Sequence, residues 1–302
     1  MSGATAVTIG HFDGVHRGHV KLLDTARRAV GDGGRVLALS FESHPLSVLR
    51  PEAAPKPLSS LQQRRRWLLK AGASEVVVLP TAADFLSQTP ESFLGWLVAE
   101  HRPDFIVEGN DFRFGRHRLG STATLREFGS KYGYETIIIE DVIVPLTDCS
   151  EVRVRSSLIR WLVAQGRVRD ARLLLGRRYE ICGEVVSGAG RGGRDLGVRT
   201  ANLAPSDHLL PADGVYTGRA TTDDGTGYRA AISVGTKPTF GEHPRVCEAH
   251  LIGFDDGGSR YGWTIRLEFD DWLRDQLPFG NVEQLIDQLR RDIDRARSCS
   301  AG

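Results

Sequence analysis

The chain has 302 residues, 40% of them hydrophobic and 25% charged, with Lys+Arg 39 against Asp+Glu 38 and a formal net charge of +1. This is the composition of a soluble globular protein, and the length predicts two domains rather than one core. The charge balance excludes a general attraction to nucleic acid or to an anionic membrane, so an anionic ligand has to be held by local geometry.

No charged-then-apolar leader and no apolar run of bilayer length is read in the sequence. Cys149, Cys182, Cys247 and Cys299 stand singly, without metal or disulfide spacing. The expectation is a cytoplasmic protein whose partners are small molecules, not nucleic acid or membrane, with homo-oligomerisation left open.

The apolar run Ala6 to Ile9 predicts a strand, and Val20 to Val30 an amphipathic helix. Between them stands Gly10-His11-Phe12-Asp13-Gly14-Val15-His16-Arg17-Gly18-His19. His16 and His19, at i and i+3, are expected on one face of the first helical turn, where free N–H groups favour a phosphate. Gly18 leaves the approach of a nucleotide open. Taken alone, His-x-Gly-His fits a tight turn with two surface histidines equally well. The full string after a strand is more specific.

Arg35 to Phe41 reads as a buried parallel strand ending in Phe41-Glu42-Ser43-His44-Pro45. Helix Leu61 to Ala71 carries Arg64-Arg65-Arg66, read as surface charge on a solvated face. Glu75 to Leu79 is the third strand and Pro90 to His101 a helix. Phe105 to Val107 is a strand running into the polar stretch Glu108-Gly109-Asn110-Asp111-Phe112-Arg113-Phe114-Gly115. A turn explains its glycines, and Asn110 with Asp111 suggests a ligand. Helix Thr122 to Tyr132 and strand Glu135 to Ile139 follow. The alternation predicts a mostly parallel, doubly wound α/β sheet. Ser156 or Ser157 suits an N-cap, and Arg160 a polyphosphate. Helices Ser157 to Gln165 and Val168 to Leu175 lead to Gly176, and the domain boundary is set there, giving 1–176 and 177–302.

These pieces resemble the adenylylating half of the bacterial bifunctional riboflavin kinase/FAD synthetases. The resemblance rests on the opening string, on Phe41, His44 and Pro45, and on Gly109, Asp111, Phe112, Phe114 and Gly115. It also covers Arg155-Ser156-Ser157-Leu158-Ile159-Arg160, where the family's first Ser is Arg and its Thr is Ser. It implies a Rossmann-like nucleotidyltransferase domain in which His16 and His19 are catalytic. Gly10, Phe12, Asp13, Gly18, His44, Asp111, Ser157 and Arg160 would bind the nucleotide.

From Tyr179 the pattern changes to short β-like runs, Tyr179 to Val186, Gly214 to Arg219, Tyr228 to Val234, Ala249 to Ile252 and Trp263 to Phe269. Without intervening helices these predict an antiparallel Greek-key barrel, closed by a helix over Val282 to Arg297. The loop 188–197 is rich in Gly and Arg, whose backbone N–H groups and charge suit phosphate, although a flexible basic loop is the simpler reading. Thr200 and Asn202 lie on one side of an extended chain, placed to share a hard cation such as Mg²⁺.

This half resembles riboflavin kinase. The likeness runs through Thr200-Ala201-Asn202, Gly214-Val215-Tyr216, Gly235 to Phe240, Glu248, Phe254-Asp255, Tyr261-Gly262, and Asp292 and Arg297 in the closing helix. It implies that Thr200 and Asn202 hold Mg-ATP, that Gly188, Gly190, Arg194 and Gly197 cover the phosphates, and that Glu248 takes the proton of the ribityl hydroxyl. The family's Phe-Pro before Thr200 is Val198-Arg199 here, so the stiffening of a proline is absent. The implied function is phosphorylation of riboflavin to FMN and adenylylation of FMN to FAD, with ATP as substrate in both and pyrophosphate released in the second. Three other readings stay open: an FAD synthetase with a degenerate kinase module, a different nucleotidyltransferase, and a flavin- or nucleotide-binding regulator without turnover.

Overall fold

The computed structural model describes residues 3–187, 198–205, 207–236, 245–255 and 261–298. They form two compact units, Met1–Pro145 with Cys149–Ser156, and Leu146–Asp148 with Ser157–Gly302.

In the first unit, β1 (Thr5–Gly10), β2 (Arg35–Phe41), β3 (Glu75–Leu79), β4 (Phe105–Gly109) and a further strand (Glu135–Ile139) make a parallel sheet. Helices α1 (Arg17–Val30), α2 (Leu46–Leu49), α3 (Leu61–Lys70), α4 (Ala83–Leu86), α5 (Pro90–His101) and α6 (Thr122–Tyr132) connect the strands. Two small hairpins complete the unit, β5 (Arg113–Phe114) with β6 (Gly120–Ser121), and β8 (Ile143–Pro145) with β9 (Glu151–Arg153). With Glu135–Ile139 as β7, the sheet order is β3-β2-β1-β4-β7.

The strands read as continuous apolar runs because both faces are covered. Ala6, Val36, Ala38, Val76 and Val107 pack with Leu22, Leu23 and Ala26 of α1 and Trp67 and Leu68 of α3. Val7, Ile9, Leu37, Leu39 and Ile106 face the other way, against Phe93, Leu94 and Leu97 of α5 and Leu125 of α6. Each fully covered leucine contributes about 2 kcal/mol of burial. The chain order reverses between β1 and β4, and at such a switch point the carboxyl ends of the strands open a crevice for ligands.

Glu108 departs from its expected place in a polar loop: it lies inside β4 and is buried. β1 pairs with β4 only through Ala6↔Phe105 and Val7↔Ile106. Beyond that point Ile9 N–H donates to Glu108 Oε1 at 2.6 Å, so a side chain takes the place of the ladder. Burial pushes the Glu108 carboxyl well above its ordinary value, against the opposing pull of the Ile9 hydrogen bond. The folded protein therefore holds a proton that the unfolded chain releases, and this group's contribution to stability falls as pH rises from the unfolded carboxylate range toward the folded pKa. Glu108→Gln keeps an acceptor for Ile9 and cannot ionise. It is expected to raise the melting temperature at about pH 8 and to flatten its decline above about pH 5; equal pH slopes in thermal melts of the two proteins would contradict this.

In the second unit α7 (Ser156–Ala164) and α8 (Val168–Leu175) precede the barrel strands β10 (Tyr179–Val186), β11 (Ala201–Leu203), β12 (Gly214–Thr221), β13 (Gly227–Gly235), β14 (Val246–Leu251) and β15 (Thr264–Arg274). The barrel is closed and antiparallel, in the order β10-β11-β14-β13-β12-β15. Tyr179, Tyr216, Ile232, Ala249, Leu267 and Phe269 are among the buried side chains of these strands. α9 (Val282–Ser298) packs on β12 and β13, and its Asp292 accepts from Arg274 Nη2 at 2.7 Å.

The sequence boundary at residue 176 and the packing division after Ser156 differ by two helices. α8 packs on β10 and β15. Gly166, between the helices at φ +73, lies so close to the Trp272 ring that a Cβ there would collide with it. Gly176 ends α8 in the left-handed conformation, as its stop signal predicted, while α8 itself packs with the barrel.

Candidate functional site

At the carboxyl end of β1 the backbone turns sharply. Phe12 and Val15 take φ +53 and +35, a region that non-glycine residues rarely adopt, and both are buried. The turn is held from within. Leu58 N–H and Ser59 Oγ–H donate to the Asp13 carboxylate at 2.9 and 2.8 Å, and Gly14 N–H donates to Ser59 Oγ at 2.9 Å. Ser156 Oγ–H donates to Asp13 O at 2.9 Å. Asp13, expected at the nucleotide, thus has its carboxylate turned to the 58–59 segment. Ser60 follows as the N-cap of α3, in a capping box with Gln63.

His16 is the N-cap of α1 rather than a residue of its first turn. Its Nδ1 accepts from His19 N–H at 3.4 Å. The two rings stack with centroids 3.6 Å apart, and Phe12 meets the His19 ring edge-on at 5.1 Å. Gly18 makes room for this pair: a Cβ there would come within 3.1 Å of the His16 ring. Its immediate role is to admit the imidazole, where the sequence suggested an opening for a nucleotide. A Cβ at Gly10 would likewise meet the Phe12 ring, at 3.4 Å.

Arg64 overturns the expectation of a solvated arginine triplet. It is 3% exposed, whereas Arg65 and Arg66 are exposed. Its guanidinium donates to His11 O at 2.8 Å, Phe41 O at 2.7 Å, Glu42 O at 2.6 Å and Ser40 Oγ at 3.1 Å. Nη1 also stands 3.2 Å from His11 Nδ1. Burial lowers the Arg64 pKa from its ordinary value, with Asp13 pulling the other way. The signal in the sequence was helical spacing: Arg64 shares one stripe with Trp67 and Leu68, at i+3 and i+4. His44 joins this group. Its Nδ1 accepts from Leu46 N–H at 3.1 Å, and its ring meets His11 edge-on at 5.0 Å.

Asn110 and Asp111 have a structural partner. Arg153 Nη2 donates to Asn110 Oδ1 at 3.1 Å and pairs with Asp111 Oδ2 at 2.8 Å, while its Nε pairs with Asp141 at 2.6 Å. Asp111 remains largely exposed. Ser157 and Arg160 stand on α7 and belong to the second unit. Ser156, the last residue of the first unit, is the hydroxyl that meets the Asp13 turn.

In the barrel, Asn202 of β11 is directly opposite Glu248 of β14, and Glu248 is opposite Ser233 of β13. Directly opposed residues have Cβ atoms about 5 Å apart. Glu248 and Ser233 alternate with buried neighbours, and Asn202, opposite Glu248 and followed by buried Leu203, shares their outward face. Gln276 Nε2–H donates to Ser233 Oγ at 2.8 Å, extending the polar row. Asn202 Nδ2–H donates to Thr200 O at 3.5 Å, which directs the amide oxygen away from the backbone. The segment before Thr200 lacks a proline but is tethered, because His250 Nδ1–H donates to Arg199 O at 2.8 Å. Hydroxyl, amide and carboxylate oxygens suit a hard cation that keeps waters and phosphate oxygens as its other ligands. Among the described residues no group of three His, Cys, Asp or Glu could hold a metal. Gly188, Gly190, Arg194 and Gly197 lie outside the described residues.

The family model described as FAD synthetase matches residues 1–154, and the one described as riboflavin kinase matches residues 175–300. Curated relatives named bifunctional riboflavin kinase/FMN adenylyltransferase align over nearly the whole chain. The protein of Haemophilus influenzae is 30% identical over 97% of this chain and 93% of its own length. That of Escherichia coli is 31% identical over 96% and 91%, and that of Bacillus subtilis 30% over 97% and 91%. A crystal structure described as a macrolide-efflux protein from Streptococcus pneumoniae superposes with a TM-score of 0.86 at 30% identity, covering 99% of this chain and 96% of that one. No helix among the described residues is long and apolar enough to cross a membrane.

Proposed function

The chain belongs to the bifunctional riboflavin kinase/FMN adenylyltransferase family, and from that membership we propose which of its residues carry each reaction. It phosphorylates riboflavin with ATP to give FMN and adenylylates FMN with a second ATP to give FAD and pyrophosphate. A cytoplasmic location, where ATP is supplied, belongs to the same reading.

In the kinase module Glu248 orients and deprotonates the ribityl 5′-hydroxyl as its oxygen attacks the γ-phosphorus. Asn202 and Thr200 present oxygens to magnesium, which when bound neutralises phosphate charge. The loop 188–197 covers the phosphates.

In the adenylyl module the FMN phosphate is already a competent nucleophile, so catalysis consists of positioning and charge neutralisation at the α-phosphorus. His16 and His19, at the N-terminus of α1 beyond the carboxyl end of β1, donate to the phosphoryl oxygens there. Gly10 and Gly18 keep the floor of this site thin, and Phe12 and Asp13 hold its shape. His44 and Asp111 bind the nucleotide, and Ser157 and Arg160 keep the nucleotide-binding role that the resemblance gives them.

The observation that carries the assignment is the stacked pair His16 and His19 at a helix N-terminus on the carboxyl edge of a parallel sheet. The test is incubation with riboflavin, Mg²⁺ and ATP, followed by chromatography of FMN and FAD. Both products are expected. Failure to make FAD from supplied FMN would sink the adenylyl assignment, and failure to make FMN would leave a degenerate kinase module.

A further inference from the structure

Arg64 is the one Lys or Arg among the described residues that is buried. Its hydrogen-bond partners are three backbone carbonyls, a hydroxyl and an imidazole nitrogen, all neutral acceptors. No carboxylate is ion-paired with it among the described residues, and its Nε is buried without an acceptor. A buried charge whose hydrogen bonds all end on neutral acceptors is costly; Asp13 offsets part of that cost at a distance, and an anion bound nearby would offset more.

The carbonyls concerned fix the place of that anion. His11 follows β1 at its carboxyl end, Ser40 and Phe41 are the last residues of β2, and Glu42 follows them. One guanidinium therefore ties together two adjacent strand ends on the edge where ligands of such a sheet bind.

The guanidinium also sets the chemistry of His11. A guanidinium nitrogen only donates, so Arg64 Nη1 at 3.2 Å from His11 Nδ1 favours the tautomer that carries its hydrogen on Nε2. In that tautomer His11 is an Nε2–H donor. His44 and His16 are in the same tautomer for the same reason, because each Nδ1 accepts from a backbone N–H.

We propose that Arg64 is a positioning residue of the adenylyl-transfer site, which orients His11 as an Nε2–H donor to the nucleotide phosphates and places a buried positive charge beneath them. The proposal rests on the adenylyl-transfer reading above and adds to it a residue of α3 and a third histidine.

The experiment measures FAD formation from FMN across ATP concentrations for the wild type, Arg64→Lys, Arg64→Met, His11→Gln and His11→Ala, with FMN formation from riboflavin as the control for a folded chain. Arg64→Met and His11→Ala are expected to raise the KM for ATP about 10–100-fold, as for loss of a charge-assisted contact. Arg64→Lys keeps the charge without the fork, and His11→Gln keeps a donor near Nε2; both are expected to recover most of the loss. ¹⁵N spectra of labelled histidine should show His11 protonated at Nε2 in the wild type and a shifted tautomer balance in Arg64→Met.

Unchanged ATP KM in both Arg64→Met and His11→Ala would overturn the proposal, as would a wild-type His11 protonated at Nδ1. Should Arg64→Met not fold, Arg64→Lys and the His11 pair still decide. A wild type that makes no FAD from FMN would overturn the underlying reading, and this proposal with it; a wild type that makes FAD while every variant matches it would overturn this proposal alone.

Discussion

His19→Ala is expected to lower kcat for FAD formation from FMN by about 10²–10³-fold, the loss seen when one preorganised donor to a developing charge is removed. FMN formation from riboflavin should be unchanged. His19 is the better test of the pair because it is not the helix cap. Replacing His16 would also remove the side chain that accepts from His19 N–H, mixing about 1 kcal/mol of capping into the result. The His19 ring is held between His16 at 3.6 Å and the edge of Phe12 at 5.1 Å, so its truncation leaves the Asp13 turn and its anchors at Leu58 and Ser59 in place. A loss shared equally by both activities would argue against separate sites, and a loss of less than about 10-fold would remove His19 from the chemistry.

Glu248→Gln is expected to lower kcat for riboflavin phosphorylation by about 10²–10⁴-fold, the usual contribution of a general base. The KM for ATP should change little, and FAD formation from supplied FMN should persist. Glutamine preserves size and one acceptor oxygen, so the register across Asn202, Glu248 and Ser233 has no cause to move. The neighbouring thiol cannot stand in as the base: Cys247 is buried, and burial followed by the Glu248 charge pushes it up to about 12. Glu248→Asp should recover part of the rate. Full activity in Glu248→Gln, measured as FMN formed under single-turnover conditions, would remove the general-base role.

Local pattern carried the architecture a long way. Arg35–Phe41, Glu75–Leu79 and Glu135–Ile139 are strands at the bounds their apolar runs predict, and Thr122–Tyr132 and Val168–Leu175 are helices at the predicted ends. Short elements were not legible. β8 and β9 are three residues each and owe their existence to pairing with one another, and β11 exists through its partners β10 and β14. A three-residue run has too little periodicity to register.

The candidate site divides in the same way. His16, His19, Thr200, Asn202 and Glu248 stand out as residue types at meaningful spacing in the chain itself. Their environments do not. Arg64 looked solvated beside two exposed arginines, and burying it required β1 and β2 to end against α3. The anchors of the Asp13 carboxylate, Leu58 and Ser59, stand 45 and 46 residues away, and no local pattern announces them. Glu108 looked like a loop residue until Ile9, 99 residues earlier, donated to it. Gly18 is needed by the ring of His16, a contact that neither spacing nor composition expresses.

The amino-acid sequence alone decided the two-module α/β-then-barrel architecture and the identity of the polar groups, because apolar periodicity and side-chain chemistry are local properties. The tertiary structure alone decided which of those groups lie together at a strand end or on one barrel face and which are engaged in holding a turn or a helix in shape. That choice depends on partners distant in the chain, and on burial that exists only once the sheet and barrel have closed.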